Sequence, residues 1–418
     1  MKEKIKVGYI GLGRRGIGML KSCFSKMPDV EIAYLCDLYE ERIDYAVQTY
    51  FSEEGKAVPA RTTDYHEILQ DETVDAVIIM TEWASHARIA IDSALAGKYT
   101  ALEVGGAYQL QDCFDLVAAY EKTGAPIMIL ENCCYGRPEM MVLNMVKQGL
   151  FGEIIHCVGG YHHYLPECEL FAKLEEPVRH YRIGDYETRN CEQYPTHELG
   201  PIAKVLNINR GNRMIRLNSV ASKAAGLRTY CRKHLPEDSE FNQKTYAQGD
   251  IVTTCITCAN GETITMVLDT TLPRPYYSRN FTVRGTEGMY TEERRVVFLD
   301  SMKEGVTFNE QEFFEKYDHP LYREYMALGE RGGHGGIDWL VSRAFVEAVK
   351  AGTNTPIDAY DTAAWMCIAP LSEESIRQNG APIEIPDFTN GKWQNREPAP
   401  QNKYSLDDIV DDPTMTIY

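Results

Sequence analysis

Apolar runs alternate with helical patterns through the first third of the chain. Five runs are short, rich in Val, Ile and Leu and bounded by turn residues, which is typical of strands buried on both faces. They are IKVGYI, VEIAYLC, VDAVIIM, YTALEV and APIMIL. Between them lie segments with a helical period, such as SHARIAIDSALAGK. This alternation predicts a doubly wound parallel sheet of the α/β class, forming a first domain over residues 1–130.

The pattern changes after residue 130. A helix with an apolar stripe is predicted over residues 138–149, and the segments after it show the two-residue period of half-buried strands. They are EIIHCVGGYHHY, MIRLNSVASK, DIVTTCITC, ETITMVLDT, NFTVRGTEGMYTEE and RRVVFL. Few helical patterns separate them, so we predict an open, mainly antiparallel sheet in a second, α+β domain over residues 131–418.

Three further features belong to the second domain. Two late helices are predicted in GIDWLVSRAFVEAVKAG and DAYDTAAWMCIAPLSEESI. A long irregular segment is predicted over residues 165–193, and loops of that length in compact domains are usually functional or disordered. The Pro- and Asn-rich tail, about 380–418, is expected to wrap the surface.

Composition narrows the class of protein. A length of 418 residues suggests two domains, and 44% hydrophobic with 25% charged residues is a globular composition. The net charge of -18 makes nucleic acid an improbable partner, because a polyanion would be repelled. The chain has neither the apolar run of a membrane helix nor a signal-peptide pattern at its start, so we expect a cytoplasmic protein without membrane contact. The free face of the second sheet is a candidate subunit contact, so a homo-oligomer, a dimer or tetramer, is expected.

A glycine motif follows the first predicted strand. Gly11, Gly13 and Gly16 have the spacing G-x-G-x-x-G between a strand and a helix, which suits a tight turn, close approach to a pyrophosphate and close helix packing. Asp37 ends the next strand, about 20 residues further on, where a carboxylate would bond the adenosine ribose. These features predict a dinucleotide cofactor, and Asp37 favours NAD because it would repel a 2′-phosphate. Three nearby cations leave NADP open: Arg14, Arg15 and Arg42.

Polar and aromatic side chains follow the carboxyl ends of the later strands. In doubly wound sheets, ligands bind at these ends. As a set, these residues predict the nicotinamide pocket, although each alone also fits helix capping or loop packing. They are Thr81, Trp83, His86, Glu103, Glu131 and Asn132.

The segment RNCEQYPTHELGP carries the clearest candidate chemistry in the second domain. Tyr194 and His197 are three residues apart, which would place both on one face of a helix beginning here. They are either a proton-transfer pair or an ordinary helix entry with a satisfied histidine, and the segment alone does not decide between them.

The two-domain order resembles the Gfo/Idh/MocA oxidoreductases. Most members have EKP with a catalytic lysine after the fifth strand, whereas this chain has Glu103-Val104-Gly105, and Gln193 stands where an aspartate is frequent. The pattern is more similar to glycoside hydrolase family 109, the NAD-dependent glycosidases first known for α-N-acetylgalactosaminidase activity. The segments that carry this resemblance are GLGRRG, ENCCYGR, YPTHELGPIAKVLNINRG, LPRPYYSRNFTVRGTEG, GGHGGIDWL and GAPIEIPDFTNGKW.

The resemblance implies a sugar site. It implies that Tyr161, in GGYHHY, is a catalytic base, with Tyr194, Thr196 and His197 lining the site. It also implies that Arg182 and Tyr276 bind substrate. Two departures lie beside this site: Glu198 follows the motif histidine where a small residue is usual, and the 165–193 segment differs from the usual one.

The resemblance also implies a redox-neutral hydrolysis. In that family NAD+ oxidises the sugar at C3, a base removes the C2 proton, the glycosidic oxygen leaves by β-elimination, water adds to C1, and NADH restores C3. Either anomer could be cleaved. A phenol base such as Tyr161 needs a nearby cation at neutral pH, and Arg182 is a candidate. His197 could move the C3 hydroxyl proton or assist the leaving group, Tyr194 would position the sugar, and Glu131 is a weaker acid/base candidate.

Two other functions remain open. A sugar or cyclitol oxidoreductase, or an enzyme that forms 3-keto-glycosides, would accumulate NADH. A regulator that binds NAD or a sugar without catalysis would do neither reaction. No resident metal is predicted, because His162 and His163 are adjacent in a strand and would point apart, and no spacing matches a metal motif.

Overall fold

The structure is a computed structural model that describes residues 2–172, 180–302, 304–396, 398 and 402–411. Its strands are β1 (Ile5–Ile10), β2 (Val30–Cys36), β3 (Ala60–Thr62), β4 (Ala76–Ile79), β5 (Tyr99–Leu102), β6 (Ile127–Ile129), β7 (Ile154–His162), β8 (Met214–Ala221), β9 (Ile251–Cys258), β10 (Thr263–Asp269), β11 (Thr282–Gly285), β12 (Gly288–Thr291), β13 (Val296–Leu299) and β14 (Ile383–Glu384).

The α-helices of the same residues are α1 (Arg14–Ser22), α2 (Glu40–Val47), α3 (Tyr65–Gln70), α4 (Trp83–Leu95), α5 (Leu110–Thr123), α6 (Arg137–Lys147), α7 (Arg182–Thr188), α8 (Thr196–Val205), α9 (Gly226–His234), α10 (Glu310–Tyr317), α11 (Pro320–Ala327), α12 (Ile337–Ala351), α13 (Ala359–Met366) and α14 (Ile368–Arg377). In the described part of the chain, no helix has the length and apolar character needed to cross a membrane.

The chain forms two compact units. Unit 1 comprises residues 1–144, 318–363 and 395–418, and unit 2 comprises residues 145–317 and 364–394. The division into domains at residue 130 therefore remains a prediction. The tail is divided between the units: residues 380–394 belong to unit 2, and the remainder belongs to unit 1, where Tyr404 and Leu406 are buried.

Unit 1 contains a six-stranded parallel sheet in the order β3-β2-β1-β4-β5-β6. The predicted doubly wound sheet is confirmed, with one further short strand, β3, that the apolar pattern did not indicate. The strand order reverses between β1 and β4, and in such sheets ligands bind at the carboxyl ends of the strands beside this point. The buried helix α12 belongs to this unit, and its Arg343 pairs with Asp29 ahead of β2.

Unit 2 contains an eight-stranded sheet in the order β13-β12-β11-β7-β10-β9-β8-β14. It is mainly antiparallel, as predicted, but β7 and β10 pair in parallel. Strands β9 and β10 alternate between buried and more exposed positions, and on the neighbouring strands α8 packs against β7 and α14 against β8. This arrangement leaves one face of the sheet covered by helices.

The structure corrects three expectations in unit 2 and its flanks. The 165–193 segment is not irregular throughout, since it contains a π-helical turn over Pro166–Leu170 and helix α7, while residues 173–179 lie outside the described residues. The predicted single helix near the C-terminus is two helices, α13 and α14. Tyr194 lies ahead of α8, which begins at Thr196, so it does not share a helical face with His197.

Candidate active site

The glycine loop of unit 1, between β1 and α1, lets neighbouring groups come close to its backbone. Gly11 has φ +97°, and a Cβ there would lie 2.6 Å from the carbonyl of Met80. A Cβ on Gly16 would lie 2.1 Å from the carbonyl oxygen of Gly11, so α1 can pack onto the loop only without a side chain there. Gly13 is the N-cap of α1 and supplies no side-chain cap, and the N-terminus of a helix is suited to an anion.

Asp37 lies directly after β2 and is connected to this loop. One carboxylate oxygen accepts a hydrogen bond from the Leu12 amide at 2.6 Å, and the other accepts from the Tyr39 amide at 3.0 Å. Arg42 approaches the same carboxylate at 3.7 Å, so one of the cations that left NADP open is paired with Asp37. Each carboxylate oxygen has a second lone pair, as a ribose hydroxyl requires.

Arg15 lies in the first turn of α1 and contacts two carboxylates of unit 1. Its Nε donates to Glu103 at 3.1 Å, and its two terminal nitrogens each donate to Asp338 at 2.9 Å. Asp338 also accepts from the amide nitrogen of Asn132 at 2.7 Å and contacts Nδ1 of His334 at 2.8 Å. Despite burial, hydrogen bonds from His334 and Arg15 lower the pKa of Asp338, which is therefore an anion.

Asp338 was not among the residues singled out from the sequence. It is more than 300 positions from Arg15, in α12, and only the folding of residues 318–363 into unit 1 brings the two together. The glycine-rich GGHGGID segment around His334 was a signal for this region, but it gives no indication that Asp338 pairs with Arg15. Asp338 thus connects two predicted cofactor-binding residues, Arg15 and Asn132.

The ends of β4 and β5 form the rest of the predicted nicotinamide region. The Trp83 indole donates to the carbonyl oxygen of Val104 at 3.0 Å. A Cβ on Gly105 would lie 2.1 Å from that indole nitrogen, which explains the glycine after Val104. Burial lowers the pKa of His86 to about 4, so this ring is neutral. Among the described residues, the ring nitrogens of His86 and the hydroxyl of Thr81 are buried without a partner.

These observations fit a bound dinucleotide. The loop excludes side chains where a pyrophosphate would lie, the helix start offers amides, and Asp37 offers carboxylate oxygens. Buried polar atoms on Thr81 and His86 await a partner in the region where the nicotinamide is expected. The residues that would bind NAD are therefore present in unit 1.

In unit 2, an aromatic cluster forms where β7 meets α8. The Tyr161 and Tyr194 rings lie 4.4 Å apart between centroids. His197 meets Tyr194 edge-on at 4.8 Å and Tyr161 at 5.7 Å. The sequence segments GGYHHY and YPTH, which were linked only by the family resemblance, thus meet in one cluster.

Gly159, two residues ahead of Tyr161, makes this approach of α8 to β7 possible. A Cβ on Gly159 would lie 2.6 Å from the Cβ of Glu198, and one on Gly160 would lie 2.4 Å from the His162 ring. Glu198, the departure noted from the family pattern, is buried on Gly159 beside the cluster. Side chains at alternate positions of β7 share a face, so Gly159 and Tyr161 both face α8.

Arg182 supplies the cation expected near Tyr161. Its guanidinium lies 4.8 Å from the centroid of the Tyr194 ring and 3.6 Å from the Glu169 carboxylate. Burial raises the pKa of Tyr161, Arg182 lowers it, and Glu169 raises it, so that the phenol is a weaker acid than usual. Arg182 therefore lowers the pKa of Tyr161, but burial raises that pKa by more.

Three cluster residues were not singled out as site residues from the sequence. The Tyr161 hydroxyl lies 3.0 Å from Nδ1 of His163, and the Tyr277 ring packs against His163 at 5.2 Å. Glu169 is the partner of Arg182. The two-residue spacing of Tyr161 and His163 on a strand was the available signal, whereas Glu169 and Tyr277 lie in segments without a regular period.

The remaining predicted residues lie as follows. Tyr276 is about half exposed, and its hydroxyl donates to Glu293 at 2.7 Å, whereas its neighbour Tyr277 is the one that packs on Tyr161. Thr196 begins α8, and its hydroxyl is buried. In unit 1, Glu131 is fully buried and accepts from the Cys133 amide at 3.0 Å, as the cap of a short 3-10 turn.

Two family models match different parts of this chain. Residues 135–395 match the family model described as glycosyl hydrolase 109, C-terminal domain, and residues 5–130 match the oxidoreductase family with an NAD-binding Rossmann fold. A glycosyl hydrolase family 109 protein of Stenotrophomonas maltophilia is 37% identical, over 95% of this chain and 91% of that protein. The chain belongs to glycosyl hydrolase family 109.

An alpha-N-acetylgalactosaminidase of Shewanella oneidensis is also similar, with 36% identity over 95% of this chain and 87% of that protein. These relationships confirm the assignment as an NAD-dependent glycosidase, which the sequence predicted by resemblance. They identify NAD as the cofactor of the family 109 chain, in agreement with the position of Asp37.

Solved structures show the same fold at low identity. A levoglucosan dehydrogenase in complex with NADH has a TM-score of 0.67 at 20% identity, covering 92% of this chain and 100% of that one. An NAD binding oxidoreductase from Klebsiella pneumoniae has a TM-score of 0.69 at 15% identity over the same share of this chain. At these identities the likeness concerns the fold alone.

Proposed function

We propose that this glycosidase cleaves its substrate by transient oxidation at C3 and β-elimination, with the cluster around Tyr161 as the sugar site. The observation that carries the proposal is the meeting of Tyr161, Tyr194, His197 and Arg182 in unit 2 of a family 109 chain. Aromatic rings suit the apolar face of a sugar, and the phenol, imidazole and guanidinium suit proton transfer.

Each residue has a distinct part in the proposed reaction. Bound NAD supplies a reversible two-electron oxidation of the sugar at C3. His197 accepts the proton of the C3 hydroxyl and returns it when C3 is restored. Tyr161 removes the C2 proton, which the C3 carbonyl makes acidic, so that the C1–oxygen bond breaks by elimination. Tyr194 holds the sugar against Tyr161, and the Arg182 charge favours the phenolate form of Tyr161, which is the form that accepts a proton.

The residue at position 104 favours hydrolysis over net oxidation. Val104 stands where the related dehydrogenases have a catalytic lysine, and a valine cannot move a proton. The alternative function, a sugar or cyclitol oxidoreductase, remains testable because it must produce NADH in proportion to the sugar consumed. The glycosidase produces none.

The finer aspects are also proposals. The first substrate to test is an α-N-acetylgalactosaminide, because one relative is named for that activity. Elimination does not depend on the configuration of the leaving group, so both anomers are proposed substrates. We further propose a cytoplasmic homo-oligomer, a dimer or tetramer, with Arg14, Arg15, Glu103, Val104 and Asn132 at the cofactor and Thr196 and Tyr276 at the sugar.

A panel of p-nitrophenyl glycosides of both anomers, assayed in deuterated water, tests the proposal. The expected result is release of nitrophenol, deuterium at C2 of the free sugar and no net NADH. Release without deuterium at C2 contradicts elimination, and net NADH in proportion to the sugar supports the oxidoreductase instead.

A further inference from the structure

A short chain of polar groups runs from the Tyr161 phenol toward the surface of unit 2. The Tyr161 hydroxyl lies 3.0 Å from Nδ1 of His163, and Nε2 of His163 lies 3.6 Å from Sγ of Cys168. The Cys168 thiol donates in turn to the carbonyl oxygen of Tyr164 at 3.1 Å. Tyr161 is buried, whereas His163 is half-buried and Cys168 is exposed.

The direction of the hydrogen bonds follows from the last group in the chain. A backbone carbonyl can only accept, so the thiol proton of Cys168 points at Tyr164. The Cys168 sulfur can then accept from Nε2–H of His163, and in that tautomer Nδ1 carries no proton and is an acceptor. The Tyr161 phenol therefore donates to His163, so its proton already points at a base.

A buried phenol cannot act as a base by itself. Burial raises the pKa of Tyr161, and the opposing effect of Arg182 is weakened because Glu169 lies 3.6 Å from that guanidinium. At neutral pH the phenol is protonated and can take the C2 proton of a sugar only if it releases its own.

We propose that His163 is the proton acceptor behind Tyr161, so that the two side chains act as one base. This rests on the proposed function of Tyr161. As the Tyr161 oxygen forms a bond to the C2 proton, its own proton passes to Nδ1 of His163, and the C2–H electron pair forms the C1–C2 double bond as the C1–oxygen bond breaks. The imidazolium then returns its proton through Tyr161 to C2 while the oxygen of a water molecule bonds to C1, and the proton that this water releases neutralises the departed glycosidic oxygen.

The positions of the two histidine rings assign the role of proton acceptor to His163 rather than to His197. His197 meets the Tyr161 ring edge-on, with centroids 5.7 Å apart, whereas a ring nitrogen of His163 is within hydrogen-bond distance of the hydroxyl. The Tyr277 ring packs on His163 at 5.2 Å and is covered by the Arg279 guanidinium at 5.8 Å. The packing of Tyr277 orients the His163 ring toward Tyr161. His163 contacts no reacting atom and is a positioning and proton-accepting partner of Tyr161.

The test compares His163→Gln with the parent enzyme, with p-nitrophenyl α-N-acetylgalactosaminide, or the best substrate of the panel. Glutamine cannot take up a proton, so kcat is expected to fall about 100-fold or more, with KM changed by less than about threefold. Deuterium at C2 of the substrate should then slow turnover more than in the parent, because proton removal has become the slow step. The matched control is His156→Gln on the same strand, whose ring contacts Thr263, and it should behave as the parent.

Two further measurements keep the proposal falsifiable if the glutamine variant folds poorly. His163→Ala should regain turnover when imidazole is added, which a purely structural role does not predict. In the parent enzyme, the C2 deuterium effect should persist undiminished in deuterated water, because both protons move in one step.

The outcomes separate this inference from the proposed function. If Tyr161→Phe is inactive while His163→Gln has a kcat within about twofold of the parent, His163 is not the acceptor and the function stands. If Tyr161→Phe retains full turnover, or if product carries no deuterium at C2, the proposed function itself fails. A His163→Ala variant that folds but shows no rescue by imidazole overturns the inference.

Discussion

Asp338→Asn should weaken NAD binding although Asp338 is not itself a predicted cofactor contact. Its carboxylate accepts two hydrogen bonds from Arg15 at 2.9 Å and one from Asn132 at 2.7 Å. An asparagine keeps one acceptor and turns an NH2 group toward the Arg15 guanidinium. The variant therefore releases Arg15 and, through it, the Glu103 carboxylate at the end of β5.

The magnitude follows from these contacts. A hydrogen bond to a charged group contributes about 1.5–3 kcal/mol, and a third of the Arg15 side chain is exposed, so a loss of about 2 kcal/mol of stability is expected. Without the Asp338 carboxylate, the Arg15 and Asn132 side chains must be ordered again when NAD binds, which costs about 0.5–1.5 kcal/mol for each side chain. Together these costs, about 1–3 kcal/mol, predict an NAD dissociation constant about 5- to 150-fold higher.

Isothermal titration of the purified protein with NAD measures this change, after bound cofactor has been removed. Asp318→Asn is a matched control, because Asp318 also pairs with two nitrogens of an arginine, Arg137, at 2.9 and 2.6 Å in unit 1. It should lower the melting temperature without changing NAD affinity. Equal NAD affinity in both variants and the parent would refute the reasoning and leave Asp338 with a structural role.

Three more predictions concern single positions. Burial raises the pKa of Glu192 from its ordinary 4.5 to about 8, so its contribution to stability is fully present below pH 4.5 and is lost as pH rises toward 8. The melting temperature of Glu192→Gln should therefore depend less on pH between pH 5 and 8 than that of the parent, and parallel curves for the two proteins would contradict this. Gly159→Ala should push α8 from β7, because the new Cβ meets Glu198 at 2.6 Å, and should cut kcat in a glycosidase assay by tenfold or more; unchanged turnover would show that the helix position is tolerant. Asp37→Asn should reduce the preference for NAD over NADP at least about tenfold, since the repelling charge is gone; equal ratios of dissociation constants in variant and parent would count against Asp37 as the discriminating group.

Local constraints were sufficient to predict the class of each sheet. Strand and helix periods depend on neighbouring residues, so a parallel sheet in the first domain and a mainly antiparallel sheet in the second could be anticipated from apolar patterns, whereas the strand order could not. The glycine loop was equally predictable, because a positive φ at Gly11 and the contact of Gly16 with the loop are properties of a short segment. Only small departures were missed, such as the short strand β3.

Tertiary structure decided which side chains face each other. Tyr161 and Tyr194 lie on separate elements, and their 4.4 Å contact depends on how α8 packs on β7. The same holds for Tyr277, which packs on the cluster although Tyr276 was the predicted contact. A period along one segment does not reveal which side chains of another segment it will contact.

The pairing of Arg15 with Asp338 shows the limit most clearly. Each residue by itself is an ordinary charged position, one in a glycine loop and one in a late helix. Their contact requires residues 318–363 to fold back into unit 1, and such long-range pairing depends on the packing of the whole unit rather than on any local pattern. The sequence by itself therefore determined the elements and the kind of cofactor, while the folded chain decided which groups share protons and charge.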